Sequence, residues 1–317
     1  MSDLEIKPSS ELSSDELGKI PEAQLNAWSG DKVKHQIPVN FYEGHAEAIP
    51  INAAVLDGEV VGFSFMTKDE SGEFPDEEGY YLHMLGVDQE VQKSGIGEKL
   101  MENQKQQADG EYIKWTFDPF EPVNANLYVG KLGAQPSQFI PDKYSDDPDE
   151  APSHRFMAKW DIGESQDQSL ASSLLSMLTG DSNHSESPDS SEYDIEWQKD
   201  QTETVMIYED GEVQETDYLI EEDGEWQLEQ KAIEESSSEF FKVETPYDLD
   251  EVEDLIELKE AGAEVLGYMI NEQDWMAVDY QTLEEGEKNA YIFESTKSFQ
   301  EPQNKTSTSH PTTAPIR

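Results

Sequence analysis

Gly95 and Gly97 stand where an apolar stretch gives way to a segment of good helix formers. Residues 80–87 are an apolar, aromatic-rich run of strand length, and residues 98–108 have helix-forming composition. The first amides of a helix have no partner inside the helix, and the helix dipole adds partial positive charge there. Glycine lets an anion approach the backbone closely. The pattern therefore predicts a strand, a loop and a helix N-terminus that bind a phosphate or diphosphate.

The residues around Gly97 exclude two common phosphate-binding motifs. A Walker loop needs lysine and then serine or threonine directly after its second glycine, and a glutamate follows here. A dinucleotide fingerprint needs a third glycine near position 100, which is Leu100. The remaining pattern is Gln92-x-x-Gly95-x-Gly97. This spacing resembles the acyl-CoA diphosphate loop of the GNAT superfamily of N-acetyltransferases.

The flanking sequence extends this resemblance. A strand-like run at residues 112–117 follows the predicted helix, and residues 124–134 resemble the late helix of the superfamily. Residues 83–87 and 115–119 resemble one prokaryotic branch, a group of predicted acetyltransferases with a C-terminal extension. The resemblance covers residues 15–162 well. It implies an α+β GNAT fold, with a mixed, mostly antiparallel, splayed sheet flanked by helices, plus a smaller C-terminal α+β region.

The resemblance also implies a cosubstrate and a reaction. The cosubstrate would be acetyl-CoA or another acyl-CoA, and an amine would attack its thioester directly, without a metal or a covalent enzyme intermediate. A backbone amide in the fourth strand would polarise the thioester carbonyl. The residues that the resemblance assigns to the coenzyme are Leu85, Gly86 and Val87 in that strand, Gln92, Lys93, Ser94, Gly95, Ile96, Gly97 and Glu98 in the loop, and Asn124, Asn126 and Lys131 farther along.

Three of these assignments have simpler alternatives that the sequence leaves open. The two glycines could form a helix-entry turn that binds nothing. Asn124 could be only a helix N-cap, which is the commonest use of asparagine at a helix start. Lys93 could be an ordinary surface lysine.

The acid and the base are harder to assign. Many GNAT enzymes protonate the leaving thiolate with a tyrosine four residues before the last glycine of the late helix, but Val129 has that position here. Tyr128 lies one residue earlier, about 100° away around a helix, so it could act only through a shifted helix. His83, Asp118 and Glu121 are candidate bases, and water is a further candidate. The misplaced tyrosine also keeps open a second function, a CoA-binding module or sensor with weakened catalysis and a partner surface in the C-terminal half.

The charge balance narrows the range of partners. The chain has 71 acidic and 21 basic residues, a formal net charge of −50. Nucleic acids and anionic membrane surfaces would be repelled, which excludes them as partners. A mostly disordered acidic chain is opposed by the 10% aromatic content, so a folded protein of a salt-rich cytosol is favoured. The acceptor would be a small amine or amino acid, or a basic protein tail, and an oligomeric state is left open.

Other features of the sequence indicate a cytoplasmic protein. There is no cysteine, so no disulfide or thiolate chemistry is expected. No apolar run approaches the roughly 18 residues that a membrane span needs. Residues 1–14 are polar and acidic, unlike a signal peptide.

Composition also predicts the domain organisation. We expect a GNAT acyltransferase domain at residues 1–163, a short helix and an acidic, Ser-rich linker at 164–200, a small α+β domain at 201–295 and a disordered tail at 296–317. Within these, a helix is predicted at 10–29 with a break at Pro21, one at 169–178 and one at 249–261. A strand is predicted at 265–270.

Overall fold

A computed structural model describes most of the chain. The residues described are 4–28, 36–144, 151–162, 202–209, 211–222, 224–249, 252, 254–271, 275–283 and 288–295. The helix predicted at 169–178, the whole of the predicted linker and the predicted tail lie outside these residues.

The N-terminal half is built on one seven-stranded sheet, whose strand order is β1-β2-β3-β4-β5-β7-β6. All neighbouring strands are antiparallel except β4 and β5, which are parallel. This confirms the mixed, mostly antiparallel sheet expected from the sequence. The strands are β1 Leu4–Pro8, β2 Ile51–Leu56, β3 Glu59–Lys68, β4 Gly79–Val87, β5 Tyr112–Phe117, β6 Gln135–Ile140 and β7 Arg155–Asp161.

Strands β4 and β5 separate soon after they meet. They pair only at their N-terminal ends, where Gly79, Tyr80 and Tyr81 oppose residues 112–114. Beyond that point β4 pairs with β3 alone, so the sheet opens between β4 and β5. This opening is the splayed feature that the resemblance implies.

A bulge in β4 lies beside the opening. Phe65 of β3 is opposite Met84, and the next residue, Met66, is opposite Leu82, so His83 is the extra residue of the bulge. A bulge bends its strand and redirects the side chain at that position. The bend therefore comes just after Tyr81, the last β4 residue that pairs with β5.

Helices cover both faces of this sheet. Helices α1 (Ser14–Ala27) and α2 (Val39–His45) pack with Phe63 and Phe65 of β3 on one face. Helix α3 (Ile96–Gln107) packs on the opposite face, where the Gln104 amide donates to Ser64 Oγ at 2.9 Å. Alternate residues of β3 thus serve the two helix layers.

Helix α1 differs from its prediction because it continues through Pro21. Its N-terminus is stabilised by a capping box, in which Ser13 and Glu16 each satisfy a backbone amide of the other. Leu17, Ile20 and Ala23 are buried on one side of the helix. Packing and capping thus outweigh the one backbone hydrogen bond that proline removes.

A short helix and a π-helical segment follow β5. Helix α4 spans Pro122–Ala125, and residues Asn126–Lys131 form a π-helix. The amide of Leu132 donates to the carbonyl of Leu127 at 3.0 Å, five residues back. The late helix predicted from the sequence is therefore present, but its second half is wound more loosely than an α-helix.

The C-terminal half forms a five-stranded sheet in the order β13-β14-β12-β8-β9 and a separate hairpin, β10-β11. These are β8 Thr202–Glu209, β9 Glu212–Gln214, β10 Leu219–Glu222, β11 Glu225–Leu228, β12 Phe240–Pro246, β13 Trp275–Leu283 and β14 Lys288–Ser295, with helices α5 Gln230–Glu235 and α6 Leu255–Asn271. The strand predicted at 265–270 is wrong, because these residues belong to α6. Leu258, Ala261, Val265 and Met269 are buried at three- and four-residue spacing, which is a helical period.

The two halves share one hydrophobic core. A single cluster of buried side chains contains Trp115 of β5 together with Phe241 of β12 and Tyr291 of β14. The Tyr291 hydroxyl donates to the Pro119 carbonyl at 2.7 Å. The C-terminal sheet is therefore packed directly against the end of β5.

Candidate functional site

The loop between β4 and α3 is held in a defined shape. Gly95 is the N-cap of α3 and has a left-handed backbone with φ of +83°, and Lys93 is also left-handed with φ of +60°. The Gln92 side chain donates to the Val87 carbonyl at 3.0 Å, which ties the loop to the end of β4. The Ser94 hydroxyl donates to the Val91 carbonyl at 2.5 Å.

The two glycines of this loop have different reasons to be glycine. A Cβ added at Gly95 would meet no atom within 4 Å, so the space above the helix N-terminus is open, and the positive φ is what favours glycine. A Cβ at Gly97 would come within 3.2 Å of Leu127 Cδ2 in the π-helical segment. Ile96, between them, is 3% exposed and anchors the loop in the core. The loop therefore combines open space at Gly95 with a base that is anchored in the core.

Lys131 lies close to the loop but has a carboxylate partner. Its Nζ is 3.3 Å from Glu98 Oε2, and both side chains are partly exposed. Glu98 is in the first turn of α3. Lys131 is thus near the expected phosphate position, and it would have to exchange Glu98 for a phosphate in order to bind one.

The expected pantetheine strand is positioned by β3 and α1. Leu85, Gly86 and Val87 pair with β3, and β5 does not pair with them. A Cβ at Gly86 would lie 2.8 Å from the Phe63 ring and 3.0 Å from Trp28, so glycine lets α1 approach the strand. The β5-facing edge of this part of β4 is therefore available to an extended ligand.

His83 lies on β4 upstream of these residues. Its ring is stacked on Phe65 at 5.4 Å between ring centres, and Tyr81 contacts it edge-on at 5.1 Å. Its Nε2 is 2.9 Å from the Thr67 hydroxyl. Partial burial lowers the pKa of His83 below its ordinary value of 6.5, so the imidazole is neutral at pH 7 and can accept a proton.

A cavity of about 420 Å³ opens in front of His83. Its lining residues are Thr67, Lys68, Asp69, Glu70, Ser71, Tyr81 and His83. Among these residues, only His83 was predicted from the sequence to belong to the site. The available signal was the alternation of Tyr81 and His83 along β4, which directs both rings toward the same side.

The acidic wall of this cavity is fixed by a buried lysine. Lys114 Nζ lies 2.7 Å from Asp69 Oδ2 and 2.7 Å from Glu73 Oε2, and its side chain is 2% exposed. Burial of Asp69 would raise its pKa, but hydrogen bonds from Lys114 and Tyr112 outweigh burial and lower the pKa to about 2. Asp69 is therefore anionic at any physiological pH.

Tyr128 lies in the π-helical segment, next to the diverging part of β5. Its ring centre is 4.9 Å from that of Trp115 and 5.2 Å from that of Phe117. The hydroxyl has no hydrogen-bond partner among the residues the structure describes. Burial raises the pKa of Tyr128, so the phenol keeps its proton at neutral pH. The sequence predicted that Tyr128 could face a ligand only if the helix were shifted. The π-helical segment that contains Tyr128 is wound more loosely than an α-helix at this position.

The two other acidic candidates lie at the junction of the two halves. Asp118 Oδ2 is 2.8 Å from Lys259 Nζ and 3.3 Å from the Arg155 guanidinium. Asp118 is therefore paired with one cation of the C-terminal half and one of the N-terminal half. Burial raises the pKa of Glu121, and the charges of Asp118 and Asp248 raise it further.

The asparagines of the late helix do not cap it. Helix α4 begins at Pro122 with Glu121 as its N-cap residue, so the alternative of Asn124 as an N-cap is wrong. The side chains of Asn124 and Asn126 are partly buried and make no hydrogen bond within the described part of the chain. Both are thus free to bind a ligand.

Two further features concern the whole described part of the chain. Among its residues, no group of three or more His, Cys, Asp or Glu side chains is arranged to hold a metal ion. None of its helices has the length and apolarity that crossing a bilayer requires.

Residues 17–134 match the family described as acetyltransferase (GNAT) family. This range contains the glycine loop, β4 with His83, the opening beside β5 and the π-helical segment. Residues 17–134 therefore form a GNAT-family acetyltransferase domain, and this part of the chain has the GNAT fold.

Several solved structures are similar to about half of the chain. An N-acetyltransferase from Staphylococcus aureus Mu50 is 14% identical with a TM-score of 0.43, and the match covers 51% of this chain and 100% of that one. Arabidopsis thaliana NAA60 in complex with acetyl-CoA is 14% identical with a TM-score of 0.41, covering 50% and 99%. The ribosomal-protein-S18-alanine N-acetyltransferase from Escherichia coli is 14% identical with a TM-score of 0.39, covering 51% and 97%. No curated protein matches the chain significantly.

Proposed function

We propose that this GNAT-family acetyltransferase domain transfers an acyl group from acyl-CoA to an amine, with acetyl-CoA as the preferred acyl donor. The reaction takes place in the cytoplasm of a cell with high internal salt. The observation that carries the proposal is the loop at residues 92–98. The space beside Gly95 at the N-terminus of α3 is open, and the loop follows the part of β4 that does not pair with β5. A diphosphate at the helix N-terminus with an extended arm along β4 fits this geometry.

Binding would supply most of the catalysis. The pantetheine arm would pair with Leu85, Gly86 and Val87 as an added strand, with Asn124 and Asn126 at its other side. A backbone amide of β4 would then donate to the thioester oxygen as negative charge develops there. A thioester is already reactive, so holding it beside the amine is the main requirement.

His83 and Tyr128 would move the protons. His83 is neutral at pH 7 and open to the cavity, so it can take a proton from the incoming ammonium. The amine nitrogen then bonds to the carbonyl carbon, the carbon–sulfur bond breaks, and the nitrogen releases its second proton to water. Tyr128 would protonate the leaving thiolate. We assign Asp118 a structural role, because its oxygens are engaged by Lys259 and Arg155.

The cavity supports a small amine or an amino acid as the acceptor. Its wall contains Glu70, an exposed carboxylate suited to a cationic group, whereas the Asp69 carboxylate is already paired with Lys114. Tyr81 and His83 supply a flat aromatic surface for an apolar part of the acceptor.

Two variants at Gly95 test the phosphate loop. Asp and Asn are similar in size and both tolerate a positive φ, so Gly95→Asn measures the effect of the side chain and Gly95→Asp adds only a charge. By calorimetry in molar KCl, acetyl-CoA should bind the Asn variant far more tightly than the Asp variant. Equal affinities would contradict a diphosphate at this loop.

Turnover separates an enzyme from a binding module. Free thiol should be released from acetyl-CoA when an amine is added, and no thiol should be released without the amine. Binding of acetyl-CoA without thiol release, across a panel of amines and amino acids, would instead support the CoA-binding module.

A further inference from the structure

The C-terminal half places an aromatic ring beside the phosphate loop. Tyr247 follows β12 directly and its side chain is 43% exposed. Few other large apolar or aromatic side chains among the described residues are as exposed as this. Lys93 Nζ lies 5.7 Å from the centre of the Tyr247 ring. Lys93 is a loop residue in a left-handed conformation, two positions before Gly95. A residue far away in sequence thus borders the proposed diphosphate site.

The backbone that leads into Tyr247 is held by the C-terminal sheet, and this sheet packs against the N-terminal half. The Asn289 amide donates to the Pro246 carbonyl at 3.1 Å, which fixes the residue before Tyr247. A Cβ at Gly130 in the π-helical segment would lie 3.0 Å from the Tyr280 carbonyl oxygen of β13, so the C-terminal sheet packs closely on that segment. Tyr247 therefore has a position relative to the loop that is set before any ligand arrives.

The side chains around this ring are suited to a nucleotide. Lys93 makes no ion pair among the described residues, although the chain carries a net charge of −50. Its stem is flexible, so the ammonium can turn from the ring to a phosphate. The exposed aromatic ring can stack on a base, the neighbouring lysine can contact a phosphate, and the first amides of the helix can bind a diphosphate.

We propose that Tyr247 of the C-terminal half stacks on the adenine of coenzyme A, with Lys93 contacting the adjoining phosphate. The proposal rests on the phosphate-loop site described above. It gives the C-terminal half a part in cosubstrate recognition, because the GNAT-family domain alone would lack this surface for the base.

Two ligands that differ in the nucleoside test the proposal on the full chain. Coenzyme A contains the adenosine, whereas 4′-phosphopantetheine lacks it. By calorimetry in molar KCl, Tyr247→Ala should weaken coenzyme A binding about 5- to 150-fold, the range for loss of one base–aromatic stack. The same variant should leave the affinity for 4′-phosphopantetheine unchanged, and Tyr247→Trp should keep the affinity for coenzyme A.

Tyr144→Ala is a matched control. Tyr144 is 60% exposed and its ring also faces cations, Lys143 at 5.4 Å and Arg155 at 5.2 Å. Its removal should not change either affinity.

The outcomes distinguish this proposal from the function on which it rests. If the unaltered protein binds coenzyme A and Tyr247→Ala binds it equally well, stacking by Tyr247 is wrong and the phosphate loop stands. An equal loss for both ligands would also contradict stacking, since it would reflect general damage. If the unaltered protein binds neither ligand, both proposals fail.

Discussion

The ammonium of Lys259 in α6 lies 2.8 Å from Oδ2 of Asp118, the residue directly after β5. Lys259 is 8% and Asp118 is 18% exposed at the side chain, so the pair is largely shielded from water. Lys259 also donates to the Pro152 carbonyl at 3.1 Å. This pair joins a helix of the C-terminal half to the end of the strand that borders the proposed site.

Removing the lysine charge should destabilise both halves together. Lys259→Met leaves Asp118 with Arg155 as its remaining cation among the described residues, and we expect a loss of about 2 to 4 kcal/mol in the free energy of unfolding. Urea denaturation in high KCl, followed by near-UV circular dichroism, measures this. Lys231→Met is the control, because its pair with Glu235 is exposed and should contribute little. Separate transitions for the two halves would contradict a shared core.

The pH dependence of turnover should reveal His83. Because burial lowers its pKa below the ordinary 6.5, the fall of kcat/KM that accompanies protonation of the imidazole should have its midpoint below pH 6.5. His83→Gln should lower kcat by about 10²- to 10⁴-fold and abolish this acidic limb. His45→Gln, on α2, is the control. An acidic limb that survives in His83→Gln would assign the base to another group.

Tyr128→Phe isolates the phenol proton. The variant removes only an oxygen that has no partner among the described residues, so folding and the affinity for acetyl-CoA should be unchanged. If Tyr128 protonates the thiolate, kcat should fall about a hundredfold or more. Tyr42→Phe is the matched control, because Tyr42 of α2 packs on Phe63 and Phe65 and its buried hydroxyl also has no partner among the described residues. Equal kcat in the two variants would indicate water as the acid.

The charge of the chain predicts a salt-dependent stability. With a net charge of −50, self-repulsion should be strong in dilute buffer and screened in molar KCl, where the Debye length is about 3 Å. The thermal midpoint should therefore rise steeply with KCl concentration. A sharp transition at the same temperature in low and molar salt would count against adaptation to a salt-rich cytosol.

Local signals were sufficient for the parts of the fold that depend on neighbouring residues. The Asp57-Gly58 pair between two apolar runs predicts a hairpin, and both residues have the positive φ, 50° and 89°, that a tight two-residue turn requires. The glycine loop and α3 were likewise predictable, because a strand, a turn and helix formers follow each other directly.

The errors have identifiable physical causes. Residues 265–270 form a short apolar run, which is typical of a buried strand and of a buried helix alike, and the preceding turns of α6 decide in favour of the helix. Strand β1 at Leu4–Pro8 was not predicted, since it is short and is stabilised as an edge strand by pairing with β2.

The composition of the site could be predicted only in part. His83 and the loop stand out by residue type and spacing. The cavity depends on Lys114 holding Asp69, and the ring beside the loop depends on Tyr247 of a different sheet. Such contacts bring together residues distant in the chain, so no sequence window contains them.

The most direct measurement is a crystal structure of the full chain with acetyl-CoA, grown in high KCl. The diphosphate oxygens should accept hydrogen bonds from backbone amides between Gln92 and Glu98, and the pantetheine should extend along β4 at Leu85 to Val87. Coenzyme bound elsewhere, with this loop empty at saturating acetyl-CoA, would contradict the proposed acyl transfer at this site.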